Sequence, residues 1–153
     1  MTIVPLHWYS WDFDLLEGTR RLAHLDLSAW REKGVLSVDG INHRVSREGV
    51  MSGDFVIARD GLVLARATKP SAFRSTFMIS WNGREYTLRK KSFFGRQFML
   101  LDGDSQIGSL ARNSWWTRDA SVDLPTTWPL PIRVFVIWLV LIMWKRDANS
   151  SSS

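Results

Sequence analysis

A basic segment, "REYTLRKKSFFGR" at positions 84–96, carries the residue types best suited to chemistry in this sequence. It holds five basic residues and one acid, Glu85, so its net charge is +4. Arginine and lysine donate charge-assisted hydrogen bonds to phosphate and carboxylate groups. Like charges that face one another across a β-ladder also cost stability, which a bound anion would relieve. We therefore predict an anion-binding face formed by Arg74, Arg89, Lys90, Lys91 and Arg96.

Two aromatic residues, Phe93 and Phe94, follow the basic residues at the next turn. Phenylalanine beside basic side chains can insert shallowly into the interface of a lipid bilayer. The alternative is a solvated turn with splayed basic side chains and two phenylalanines in the core. The sequence leaves both interpretations open.

The histidines and the most acidic turn show no spacing typical of a metal site. His7, His24 and His43 lie 17 and 19 residues apart, which matches no zinc-binding pattern. The segment "LDGDSQ" at 101–106 begins like a calcium loop but lacks the required glycine and the terminal glutamate. We expect a hairpin turn there and no metal.

Motifs of nucleophilic catalysis and of nucleotide binding are missing from the sequence. Asp12 and Asp14 share one face of a predicted strand, but nothing else in the sequence suggests a substrate pocket beside this carboxylate pair. There is no Gly-x-Ser-x-Gly elbow, no glycine-rich phosphate loop and no cysteine. We predict that the protein is not an enzyme and has no cofactor.

Nine tryptophans suit either of two roles, stacking on single-stranded nucleic acid or filling a wide core. Trp138 and Trp144 belong to an apolar segment near the end of the chain. Trp115 and Trp116 must point to opposite faces if they lie in a strand. We expect the core-filling role and no nucleic-acid partner.

Turn signals indicate the elements that position these side chains. Four Asx-Gly pairs recur at intervals of 21, 22 and 20 residues: Asp39-Gly40, Asp60-Gly61, Asn82-Gly83 and Asp102-Gly103. Both residues of such a pair tolerate positive φ, as a type I′ hairpin turn requires. Regular spacing of such turns predicts an antiparallel meander of short strands.

Alternating apolar and polar residues support strands on both sides of the turns. A strand is predicted where Tyr9, Trp11, Phe13 and Leu15 share one phase. The best-defined hairpin is "TFMISW-NG-REYTLRK", in which the turn pairs Trp81 with Arg84, Ile79 with Tyr86, and Phe77 with Leu88. In this register Arg89 and Lys91 point outward, and Arg74 lies opposite Lys91 if the ladder extends that far.

The apolar run "VFVIWLVLIMW" at 134–144 is the strongest signal for a helix. Pro131 suits its first turn, and Lys145 with Arg146 suits the negative pole of its dipole. A helix near 132–146 would reach about 20 Å, whereas a hydrocarbon core is about 30 Å thick. Because the run is apolar on all sides, we expect the rest of the protein to enclose it.

Barrel geometry sets the number of strands that can enclose a helix. Strands about 4.8 Å apart and tilted by about 40° close to a diameter of roughly 16 Å for eight strands and roughly 24 Å for twelve. A helix is about 10–12 Å wide, so only the larger barrel has room for it. We predict a mainly β fold, a roughly twelve-stranded antiparallel barrel around one C-terminal helix.

This arrangement resembles the tubby C-terminal-like superfamily, which includes phospholipid scramblases and plant LURP-one-related proteins. The resemblance covers the chain from about Leu6 to Arg146, and it depends on three stretches: "GDFVIARDGLVLARATKP", "FMISWNGREYTLRKKSFFGRQFMLLDGDSQIGSL" and "LPLPIRVFVIWLVLIMWKR". It implies a terminal helix buried in a roughly twelve-stranded barrel. Some members bind phosphoinositides or move lipids, properties that are not general to the superfamily.

These expectations define one domain, residues 1–147, followed by a disordered serine-rich tail at 148–153. We predict a binding module that engages anionic phospholipid headgroups or a protein partner through its basic outer face. The alternative is a β domain held to a membrane by a short C-terminal tail anchor. We expect a monomer. We also expect a cytoplasmic location, either free or peripheral to the membrane, because the chain lacks cysteine and has Asp12 where a signal peptide needs an apolar run.

Overall fold

Just over half of the residues that the structure describes lie in one antiparallel sheet. The computed structural model describes residues 1–27, 33–49, 53–70, 75–93, 95–114 and 117–151. The elements found in these ranges are β1 (Thr2–Pro5), β2 (Asp12–Glu17), β3 (Arg20–Asp26), β4 (Lys33–Val38), β5 (Ile41–Glu48), β6 (Asp54–Arg59), β7 (Leu62–Thr68), β8 (Thr76–Trp81), β9 (Arg84–Lys90), β10 (Phe98–Asp102), β11 (Ser105–Arg112), β12 (Ala120–Asp123) and α1 (Leu130–Ser150).

The sheet closes on itself to form a barrel, which confirms the predicted fold. Each strand pairs with its neighbours in the chain, and β1 pairs with both β2 and β12. Thr2 lies opposite Ser121 at the closure, and the N-terminal ammonium of Met1 donates to the backbone oxygen of Val122 at 3.2 Å. Because the strands alternate in direction, successive connections lie at opposite ends of the barrel.

The two ends of the barrel differ in the length of their connections. Two-residue turns follow β2, β4, β6, β8 and β10 at one end, which we call the turn end, and α1 begins there. Connections of five to seven residues follow the odd-numbered strands at the other end, which we call the loop end. The C-terminal half of α1 reaches the loop end, where the Trp144 indole N–H donates to the Arg96 backbone oxygen at 3.1 Å.

Three of the four predicted turns are confirmed. Asp39-Gly40, Asp60-Gly61 and Asn82-Gly83 have positive φ at both residues, between 49° and 79°. The fourth prediction is displaced by one residue. Asp102 still belongs to β10 and pairs with Ser105, so the turn is residues 103–104. A bulge between Leu100 and Leu101 shifts the register there.

The predicted register of the β8–β9 hairpin is also confirmed. Its pairs include Trp81 with Arg84, Ile79 with Tyr86, and Phe77 with Leu88. Their apolar members contribute to the core: Phe77, Ile79 and Leu88 are fully buried. The position of Arg74 opposite Lys91 lies outside the described residues.

The predicted helix is present but longer than expected, running from Leu130 to Ser150 rather than over 132–146. Pro131 lies in its first turn, as predicted. Residues 148–150, expected in a disordered tail, continue the helix, because the hydroxyls of Ser150 and Ser151 both donate to the Asp147 backbone oxygen at 2.9 Å. Lys145 and Arg146 therefore do not lie in the last turn.

The barrel encloses the apolar part of α1. Ile132 and every residue of 134–144 are buried, and Trp138 packs edge-on against Phe55 with ring centroids 5.4 Å apart. Arg133 is the one charged residue in the first three turns of the helix. Its guanidinium stays at the turn end, where Nε donates to the Trp128 backbone oxygen at 3.1 Å.

Candidate anion-binding site at the loop end

The predicted site residues separate into two groups in the structure. Arg89, Lys91 and Arg96 are exposed at the loop end. Lys90 is in the inward phase of β9 and is largely buried, with its ammonium 2.6 Å from the Asp147 carboxylate. Its charge is therefore compensated, which the sequence did not predict. Arg74 lies outside the described residues.

Arg89 and Lys91 line an open depression beside the end of the β8–β9 hairpin. Its volume of about 620 Å³ is within the range of ligand sites. The lining residues are Ser75, Thr76, Arg89, Lys90, Lys91, Ser92 and Phe93. Phe93 is 87% exposed, so it is not one of the core phenylalanines considered above. Phe94 lies outside the described residues.

A second aromatic projection lies in the β1–β2 connection at the same end. Trp8 and Tyr9 are 86% and 68% exposed, and Tyr9 stacks on His7 with ring centroids 5.3 Å apart. The predicted strand included Tyr9, and this is wrong. β2 begins only at Asp12, because the chain turns between Leu6 and Asp12. The Leu6 N–H closes this turn by donating to the Asp12 backbone oxygen at 2.9 Å.

Arg118, from the β11–β12 connection, holds the β1–β2 connection in place. Its guanidinium donates to the Ser10 backbone oxygen and lies 5.1 Å from the centroid of the Trp11 ring. Burial lowers the pKa of Arg118 below its usual value. This contact could not be predicted from a local pattern, because Ser10 and Arg118 are 108 positions apart.

Partly buried cations concentrate around the end of the helix. Burial lowers the pKa of each of Lys69, Arg112, Lys145 and Arg146, and the charge of a neighbouring arginine lowers it further for all of them except Lys145. A neighbouring carboxylate opposes the shift of Lys69 and of Lys145. Lys145 donates to the Leu27 backbone oxygen, and Arg146 lies over the Phe55 ring at 6.0 Å. Desolvated cations that repel one another make the loop end attractive to anions.

Two basic residues at the turn end, in contrast, lie beside acidic partners. Arg84 is 2.9 Å from Asp102, and Arg20 is 3.4 Å from Asp39. Arg84 carries one of the five positive charges of the basic segment. Asp102 compensates this charge at the turn end. The exposed Arg89, Lys91 and Arg96 of the same segment lie at the loop end.

The acidic residues considered in the sequence lie on the outer face of β2. His24 lies between them, with Nδ1 3.0 Å from Asp14 and Nε2 3.7 Å from Asp12. Burial, followed by the charge of Asp26, raises the pKa of Asp12 above its usual value. Among the residues placed by the structure, no group of three or more histidine and acidic side chains is arranged to hold a metal ion. Residues 101–106 form the β10–β11 hairpin turn, as predicted.

Comparison with protein families, with curated proteins and with solved structures finds no match to this chain. In the described ranges of the chain, no helix combines the length and the apolarity needed to cross a membrane.

Proposed function

We propose that this chain is a non-enzymatic binding module whose loop end engages the headgroups of anionic phospholipids. The observation that carries the proposal is the exposure of Phe93, Trp8 and Tyr9 at the same end as the exposed Arg89 and Lys91. Aromatic tips and basic side chains on one surface are the combination that favours peripheral attachment to an anionic bilayer.

Each residue type contributes a different part of the attraction. Tryptophan and tyrosine favour the headgroup region, where an apolar ring and a polar edge are both accommodated. Basic residues near an anionic surface contribute about 1 kcal/mol each. The attachment would be peripheral, since the apolar part of α1 is enclosed by the strands and cannot contact lipid. For this reason we prefer the binding module to the tail anchor.

The architecture supports, as part of this proposal, membership of the tubby C-terminal-like superfamily that the sequence resembles. A helix enclosed in a twelve-stranded barrel is the arrangement that the resemblance implies. The lipid-binding properties of some members agree with the proposed function. The proposal itself depends on the side chains at the loop end, because a fold alone does not define a function.

Sedimentation with lipid vesicles tests the proposal. We expect the protein to bind phosphatidylcholine vesicles that contain about 30 mol % phosphatidylserine, and to be released as salt rises from about 0.05 M to about 0.5 M. Replacing both Arg89 and Lys91 with alanine should weaken binding about thirty-fold, at about 1 kcal/mol per residue. The matched control, Arg20→Ala with Arg59→Ala, removes the same charge from the turn end and should retain most of the binding.

Two results would contradict the proposal. One is a failure of the wild-type protein to sediment with anionic vesicles at low salt, which would favour a protein partner for this surface. The other is equal binding by the Arg89/Lys91 variant and the turn-end control, which would show that the attraction depends on net charge alone.

The aromatic contribution has a separate test in Phe93→Ser. Because Phe93 is 87% exposed, this change should leave the thermal stability unaltered. It should weaken vesicle binding without changing the salt dependence, since no charge is removed. Unchanged vesicle binding would exclude insertion of Phe93.

A further inference from the structure

A small cleft lies at the loop end beside the last turns of α1. Its other walls are the connection that follows β9 and the end of β11, and its volume is about 120 Å³. The lining residues are Arg96, Arg112, Trp144, Asp147, Ala148 and Ser151. Liquid water occupies about 30 Å³ per molecule, so the cleft has room for one small tetrahedral ion.

Arg112 is held in this cleft with part of its hydrogen-bonding capacity unused. Its Nη2 donates to the Thr117 backbone oxygen at 3.0 Å, and its guanidinium lies 5.8 Å from the centroid of the Trp144 ring. Its Nε is buried and has no hydrogen-bond partner among the described residues. A buried donor without a partner costs stability, which an acceptor placed in the cleft would recover.

The cleft carries uncompensated positive charge. Burial, then the charge of Arg96, then that of Arg118, lowers the pKa of Arg112. Asp147 is the acidic residue among those that line the cleft, and its carboxylate is bound to Lys90 at 2.6 Å. The remaining charge is that of the two lining arginines, with Arg118 adding to it from nearby.

We propose that the cleft between Arg96 and Arg112 is a binding site for a phosphate group. Guanidinium groups match phosphate oxygens with paired N–H donors, which suits an ion held between two arginines. The Trp144 ring fixes one side of the Arg112 guanidinium, and the Trp144 indole is in turn held by the Arg96 backbone oxygen. The phosphate is either free or part of a larger molecule that extends into solvent. This site does not require the proposed attachment to lipid.

Thermal unfolding with inorganic phosphate, in place of chloride at constant ionic strength, tests the site. At ten times the dissociation constant we expect the Tm to rise by about 3–6 °C. Phosphate also stabilises proteins nonspecifically, so the measured quantity is the difference between variants. Arg96→Gln and Arg112→Gln should each lose most of the rise, whereas Arg20→Gln, which removes the same charge at the turn end, should keep it.

The position of the bound ion is tested by nuclear magnetic resonance. The Trp144 indole N–H signal should shift saturably with phosphate in the wild-type protein and should not shift in Arg96→Gln. Because Arg96 is exposed and Arg112 stacks on Trp144, Arg96→Gln keeps the test valid if Arg112→Gln folds poorly. No saturable shift in the wild type, or equal stabilisation of Arg96→Gln and Arg20→Gln, would overturn the proposal.

Competition distinguishes the two sources of the phosphate group. If inorganic phosphate at constant ionic strength displaces the protein from anionic vesicles, and Arg96→Gln abolishes this displacement, the site takes a lipid headgroup. If phosphate binds without affecting vesicle attachment, the site takes a free phosphate or a soluble phosphate ester. Both outcomes support the site, and it stands even if vesicles do not bind at all.

Discussion

At the scale of single residues, Asp12 links the stability of the barrel to pH. It lies opposite Asp26 in the β2–β3 ladder and near the ring of His24. Burial and the charge of Asp26 raise the pKa of Asp12 in the folded protein. Protonated Asp12 therefore contributes to the free energy of unfolding below about pH 4, the pKa of an aspartate in the unfolded chain. This contribution is lost as the pH rises through the pKa of Asp12 in the folded protein.

We therefore expect Asp12→Asn to stabilise the protein at neutral pH. The amide removes the buried charge and its repulsion with Asp26, so the Tm at pH 7 should rise by about 1–3 °C. The gain should disappear below about pH 4, where Asp12 is itself protonated. Thermal unfolding across this pH range measures both effects. Asp104→Asn, at an exposed turn, is the control, and a gain independent of pH would contradict the explanation.

The positions of the basic residues show how far the sequence could predict the site. The period-two alternation of β9 correctly placed Arg89 and Lys91 on the outside, because register is a local property once the turn is known. The partner of Lys90 is Asp147, 57 positions away, and it could not be read from any local pattern. Contacts of this kind depend on where the helix ends inside the barrel.

At the scale of elements, Gly108 is required by the close approach of β11 to the end of β12. A Cβ atom on Gly108 would lie 2.8 Å from the Asp123 backbone oxygen and 3.0 Å from Leu124 Cδ2. The backbone oxygen cannot move without shifting the strand. Its contact with the Asp123 backbone oxygen could not be read from the sequence, because it depends on how β12 packs beside β11.

We expect Gly108→Ala to destabilise the protein by about 1–3 kcal/mol, the usual effect of overpacking a tightly packed position. Urea denaturation gives this free energy of unfolding. Ser109→Ala, one residue further along the same strand, should change it by less than about 0.5 kcal/mol. Similar values for the two variants would show that β12 adapts to the added methyl group.

Turns and helix were predicted with different success for physical reasons. Asx-Gly pairs at 39, 60 and 82 fix positive φ locally, so three turns were placed correctly. The fourth turn lies one residue later, and the bulge between Leu100 and Leu101 in the same hairpin leaves little signal in sequence. The helix continued past 146 because two serine hydroxyls stabilise its end. A run of serines in a sequence does not indicate such a contact.

At the scale of the whole molecule, the helix is the interior of the barrel. Removing residues 132–153 would expose the inward faces of all the strands to water and leave a space that they cannot fill by collapse. We expect this truncated chain to lose its cooperative thermal transition and its near-ultraviolet circular dichroism. A tail anchor would be dispensable for folding, so a truncated protein with the native Tm would contradict the enclosed role of the helix.

The position of α1 after every strand in the chain has a consequence for biosynthesis. All twelve strands emerge from the ribosome before the helix that fills the barrel. The outer edge of β1 stays unpaired until β12 has been synthesised, more than a hundred residues later. Long-range pairing of this kind is slow and leaves strand edges exposed to other chains. We therefore expect nascent chains of this protein to need protection from aggregation until the helix has been synthesised. Moving the helix to the start of the chain by circular permutation should reduce that need.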